Sequence, residues 1–311
     1  MTAGSTIPAP GRLREAGGLS SGPLERLGDL WGVLRRSKLA LIGLAIVGVL
    51  VVLAIVGPTV APYDPNDLNV RQRSLPPTLA HPFGTDDRGR DVLTRVLYGA
   101  RVSLQVAVIA VGISATLGVL LGAISGYLGG WVDETIMRFT DILFAFPGIL
   151  LAIAIMGVLG PSVTNAMIAL GIVYTPIFAR ITRGSVLVIR SEVFVEAARS
   201  SGAAAPRIVS RHVMPNVVAP IIVETTLSLA FAILAEAALS FLGLGTPPPA
   251  PSWGRMLSEG RSFIQDAPWM GIFPGLAIVL TVMGFNFLGD GLRDALDPRL
   301  KGVFDSAKDR G

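Results

Sequence analysis

Two carboxylates, Glu224 and Glu236, stand inside an otherwise apolar run, and they are the first residues to test for chemistry. A charge at membrane depth costs on the order of 3 kcal/mol unless it is paired, protonated or facing water. Twelve residues separate the two acids, and at about 100° per residue they lie about 120° apart around a helix. They therefore do not form a shared acid–base pair. Glu236 reads as a hydrogen-bonded structural group near one end of its span, and Glu224 as a possible pathway-lining group. The remaining reactive types are sparse. The two histidines, His81 and His212, are far apart, no cysteine occurs, and no Gly-Lys dipeptide is present. That composition offers no histidine-rich or thiolate metal site, no nucleophilic thiol, and no phosphate-cradling loop ending in lysine. No catalytic residues, metal ligands or cofactor are expected, and the chain reads as a non-enzyme.

The elements that carry these residues are membrane spans. The chain of 311 residues is 51% hydrophobic and 15% charged, where soluble domains carry about 25% charge. About 20 apolar residues cross the hydrocarbon, and six runs qualify: 39–61, 104–128, 142–159, 162–178, 217–244 and 271–288. The first lies too far from the start, and is too long, for a removable leader. With the N-terminus inside, Lys and Arg divide 18 inside to 8 outside, so both termini are expected in the cytoplasm. The organisation expected is a disordered tail (1–30), a first span with its outer loop (31–103), a five-span core (104–301) and a second tail (302–311).

Within the second span Ala110, Ser114, Gly118, Gly122 and Gly126 recur every fourth residue. Such a ridge lets another backbone approach closely, and packing within the chain is its simplest use; a seam with a second subunit is the other. In the first outer loop, Asp87 or Asp91 can cap a short amphipathic helix carrying Val92, Val96 and Ala100 along one stripe. Trp253 and Trp269 suit the interfacial belt.

Residues 191–216 interrupt the apolar pattern on the inner side with a polar, basic segment punctuated by Gly202, Pro206 and Pro215. It reads as helix, turn, helix. Ser191 is placed to cap the first helix, which carries Phe194, Ala197 and Ala198 on one face. Gly202 suits the left-handed residue that ends it, and Pro206 the first turn of the next. The second helix sets Ile208, Val209, His212 and Val213 on one side and Arg207 and Arg211 on another, until Pro215 breaks it. Such a knob, with an apolar ridge and a basic flank, suits a groove in another protein.

Glu196-Ala197-Ala198, three residues, Gly202, nine residues, then His212-Val213-Met214-Pro215 resembles the signature loop of bacterial ABC-importer permeases. His212 and Met214 stand where the general pattern has Ile and Leu. "APYDPND", "HPFGTDDRGRDVL", "LSFLGLGTPPPAPSWG" and "NFLGDGLRDALDPR" extend the likeness, over roughly 30–301, to the C-type permease of the dipeptide/oligopeptide branch. The resemblance implies an all-α membrane protein of the type I importer fold, with six transmembrane helices and a cytoplasmic coupling loop. It implies a homologous second permease, two cytoplasmic ATPase subunits or one fused ATPase, an extracellular binding protein and a peptide cargo in the bilayer, with no nucleic acid involved. It assigns Glu196, Ala197, Ala198, Gly202, Arg207 and Pro215 to ATPase coupling. Nickel chelates or glutathione remain alternative cargoes. A stand-alone ion-coupled carrier remains the alternative class; it would show inverted repeats and interrupted helices.

Overall fold

A computed structural model describes residues 37–296; the tails expected at 1–30 and 302–311 lie outside the described residues. Described residues fold into helices joined by turns and loops. The first, α1 (Lys38–Val60), starts where the Ser37 side chain accepts a hydrogen bond from the Ala40 amide. It carries no charge after Lys38 and stays largely exposed, as a lipid-facing helix must.

The second span is longer than its apolar run. Helix α2 (Val92–Leu128) is continuous over 37 residues, or about 55 Å against about 30 Å of hydrocarbon. Its first three turns are the stretch expected to lie flat as a separate interfacial helix, and the boundary drawn at residue 103 falls inside α2. The reason is packing. Val92 and Ala100 are buried, Asp91 caps the helix by accepting from the Thr94 amide at 2.7 Å, and Gly99 lies against Trp253. Trp253 is correspondingly a core residue, 1% exposed, whose indole N–H donates to the Val96 carbonyl at 3.0 Å. It is no belt residue. Trp269 is partly buried and donates to the Thr85 carbonyl at 2.9 Å.

The small-residue ridge on α2 faces α5 (Val163–Ile189). A Cβ placed at Gly118 would lie 2.5 Å from the Thr175 carbonyl, and one at Gly126 2.9 Å from the Arg183 carbonyl. This seam is intrachain, and the approach of two backbones is what excludes larger residues there.

The third pass is not one span. Helix α3 (Gly130–Phe144) and helix α4 (Gly148–Leu159) meet at 88° around Ala145–Pro147. Pro147 removes an N–H and pushes the preceding residue out of helical geometry, so the apolar run at 142–159 turns a corner. Among the described residues five helices are long and apolar enough to cross singly, and six passes result if the bent pair counts as one.

After α5 come the hairpin helices α6 (Val193–Ser200) and α7 (Ala205–Ile208), then a π turn at Val209–Val213 leading directly into α8 (Met214–Phe241). Helix α9 (Trp253–Gly260) sits between α8 and α10 (Trp269–Leu296).

Candidate functional site

The hairpin between α5 and α8 carries the signature residues. Gly202 ends α6 at φ +80°, and a Cβ added there would meet nothing within 4 Å. Backbone handedness, not space, selects glycine. The Gly202 amide donates to the Arg199 carbonyl and the Ala203 amide to the Ala198 carbonyl, closing the helix end.

At the other end, Ser191 does not cap α6. Its hydroxyl donates back to the Val188 carbonyl at 2.8 Å, and Glu192 occupies the cap position without a side-chain bond. Pro215 likewise does not break the second hairpin helix. It lies in the first turn of α8, and the π turn carries the chain through it, the Met214 amide donating five residues back to Val209. A widened turn relieves the ring, which would otherwise press on the carbonyl four residues earlier. Asn216 Nδ2 donates to the His212 carbonyl at 2.7 Å, a side-chain bond across the same turn.

The apolar ridge points inward. Val195, Ile208 and Val213 are buried in one cluster with Val186 of α5 and Val217 of α8, and Ala198 packs against it. The ridge expected to fill another protein's groove therefore glues the hairpin to its own spans, each such side chain contributing about 1.5–3 kcal/mol by burial. Left exposed are Glu196, Ala197, Gly202, Arg207 and Pro215, with Phe194 38% exposed and Val193 79%. Glu196, Ala197, Gly202, Arg207 and Pro215 are thus exposed on a hairpin with a buried apolar base, and Ala198 is part of that base.

Glu236 is 1% exposed and accepts from Ser103 at 2.9 Å and Ser240 at 2.7 Å. It ties α8 to α2 as a structural group. Glu224 is half-buried, accepts from Ser228 at 2.9 Å, and stands apart from the hairpin candidates on the same helix.

Two constellations were missed from sequence. Near the bent pass, Arg180 of α5 donates to Asp141 of α3 at 2.7 Å and lies 4.1 Å over the Phe144 ring, with both charged side chains about half exposed. Arg183 makes a two-pronged pair with Asp133 at 2.5 and 2.6 Å. On the opposite side of the molecule, Arg90 bonds Asp86 at 2.6 Å and Glu259 at 2.8 Å, and Arg95 bonds Glu259 at 3.2 Å and the Pro65 carbonyl at 2.9 Å. Arg255 adds a bond to Glu259 at 3.1 Å. Burial would raise the Glu259 carboxyl, but the charges of Arg95 and Arg90 and the Arg255 hydrogen bond outweigh it and hold it below its ordinary value. Charge is therefore buried beyond the two glutamates of α8: the Arg90 and Arg95 side chains are 1% exposed. The signal was present in "GTDDRGRDVL", but its partner lies more than 160 residues on.

A membrane bundle of five long helices and one bent pass, with a rigid hairpin between the fifth and eighth helices, defines a type I importer permease fold. The fold is similar to a chain of the inward-facing MetNI methionine ABC transporter, with a TM-score of 0.55, 18% identity, and coverage of 65% of this chain and 97% of that one. Residues 118–302 match the binding-protein-dependent transport system inner membrane component family, and residues 26–77 match the N-terminal TM domain of oligopeptide transport permease C. The dipeptide transport system permease protein DppC of Alkalihalophilus pseudofirmus is 51% identical over 86% of this chain and 88% of its own. The glutathione transport system permease protein GsiD of Escherichia coli is 48% identical over 88% and 91%. The chain belongs to the binding-protein-dependent transport system inner membrane component family. It is the multi-pass permease of an ATP-driven importer, with ATP hydrolysis carried out by separate subunits.

Proposed function

We propose that the chain forms half of a translocation pathway for di- and oligopeptides, completed by a homologous permease and driven from the cytoplasm through residues 191–216. The exposed surface around Glu196, Ala197, Gly202 and Arg207, set on its buried apolar base, is the observation that carries the coupling role. The peptide cargo is supported by the names of the relatives. Two ATPase subunits, or one fused ATPase, seat on the hairpin, and an external binding protein delivers the cargo. ATP binds the closed ATPase pair more tightly than the open one, and that difference is all that can shift the permease between inward- and outward-open states. Glu196 orients the hairpin at the ATPase surface, the small Ala197 and Ala198 permit close seating, Gly202 makes the bend, and Pro215 aims α8. Glu224 and the Arg180–Asp141 pair line the path, because half-exposed charges within long apolar helices must face water or a partner.

Both termini lie in the cytoplasm on this reading. The absence of cysteine makes the test direct. In Ala197→Cys, an impermeant maleimide is expected to label inverted vesicles but not intact cells, and a short bifunctional reagent to join that cysteine to an ATPase subunit. Labelling from outside the cell contradicts the assignment.

The relative named for glutathione transport favours one second reading, a tripeptide cargo. Competition for uptake between dipeptides and glutathione separates the two.

A further inference from the structure

An apolar groove of about 460 Å³ runs between the inner end of α2 and the hairpin. Leu120, Ile124 and Leu128 form one wall, and Pro206, Val209 and Met214 the other. The three α2 residues are 56%, 45% and 58% exposed, so nothing in the described chain covers them. An open apolar surface of this kind needs an apolar occupant, and its length and charged neighbours point to one.

The α2 wall extends from Val119 to Leu128, about 14 Å at 1.5 Å per residue. That matches one leaflet, about half of the 30 Å hydrocarbon. An extended hydrocarbon chain fits a groove of that length and apolar lining.

The rim supplies the charge. Arg207 and Arg211 follow Pro206 and Ser210, which line the groove, and stand four residues apart on the same side of the hairpin helix. Both are exposed, and neither has a carboxylate within 4 Å among the described residues. Two exposed guanidinium groups, each next in the chain to a residue that lines the groove, complement a phosphate that carries net negative charge.

We propose that this groove binds one acyl chain of an anionic phospholipid, whose phosphate sits on Arg207 and Arg211. Because one wall is a span and the other is the hairpin, the bound chain braces the joint between them. The leaflet assigned, the cytoplasmic one, rests on the orientation proposed above; the groove, its size and its rim do not.

The test uses the whole importer complex in phosphatidylcholine vesicles doped with a phosphatidylglycerol or a phosphatidylcholine bearing a photoreactive acyl chain. The anionic analogue is expected to label residues 119–128 and 205–214 about tenfold more than the neutral one. Ser210→Trp, which fills the groove from an exposed position, is expected to abolish that labelling. Arg211→Gln is expected to bring the anionic analogue down to the neutral level without displacing the chain. Equal labelling by the two lipids overturns the proposal, as does unchanged labelling in both variants, or capture of another polypeptide from the groove. Labelling is read without nucleotide, so failure of the coupling role leaves this result untouched, and failure here leaves the coupling role standing.

Discussion

The end of the molecule at the start of α2 and the hairpin at 191–216 are built in opposite ways. At the first, charges are buried and crossed between distant segments: Arg90 just before α2 and Arg95 in its first turn close on Glu259 of α9 and on Asp86. At the hairpin, the charged residues are exposed, as are Val193 and Phe194, while Val195, Ile208 and Val213 are buried against the chain's own spans. A buried, mutually satisfied charge network fixes one arrangement and tolerates no lost member. A polar surface on an apolar base is free to engage a partner while its base transmits motion. The first suits a clamp, the second a handle.

The largest expected effect breaks the clamp. Glu259→Ala leaves Arg90 and Arg95 buried without their shared carboxylate and should cost on the order of 3–5 kcal/mol, read as a fall in the thermal midpoint of the detergent-purified complex. Glu196→Ala, on the exposed hairpin face, should cost under about 1 kcal/mol, the size of a charge–dipole contribution in a first helical turn. Equal destabilisation by the two would erase the contrast.

Gly202→Val comes next. The open space around its Cβ position leaves only the φ of +80° to object, at about 1–2 kcal/mol. Gly202→Asn, a residue that tolerates the left-handed region, should recover most of it, and matched losses would mean that space matters after all.

Acid sharpens the comparison further. Since the folded Glu259 pKa lies below its ordinary 4.5, its contribution is complete above that value and is lost as pH falls through the depressed folded value. Hydrogen exchange in 253–260 should therefore be flat from neutral pH down to about 4.5 and accelerate, beyond the intrinsic pH effect, only in more acid solution. Acceleration at mildly acid pH would contradict the clamp.

The smallest effect is expected for Ser191→Ala. Its hydroxyl reaches back to Val188 rather than capping α6, so stability should move by no more than about 0.5 kcal/mol. A loss of about 1 kcal/mol, the usual value of an N-cap, would restore the capping role.

What the sequence displayed was whatever depends on local spacing. Apolar runs located the spans, the four-residue recurrence from Ala110 to Gly126 marked the α2–α5 seam, and Gly202 announced its own left-handed turn. The spacing from Glu196 to Pro215 identified the hairpin. Periodicity also showed that Ile208 and Val213 share a face, but not that Val186 and Val217 cover it, because a stripe does not name its partner. The clamp around Glu259 stayed hidden for the same reason: an arginine 164 or 169 residues from its carboxylate leaves no spacing to read. The corner at Pro147 was hidden by hydropathy itself, which counts apolar residues on either side of a bend as one run. That corner is an interrupted helix, a feature set beside ion-coupled carriers in the sequence reading, and here it belongs to an importer permease.

The central claim is that the hairpin at 191–216 is the mechanical joint between permease and motor. It is tested most directly by measuring ATP hydrolysis and peptide uptake together, in proteoliposomes containing the complete importer with Gly202→Val. Continued hydrolysis with uptake at background, in a complex that assembles at normal yield, is the predicted result. Uptake per ATP equal to that of the unaltered importer would contradict it.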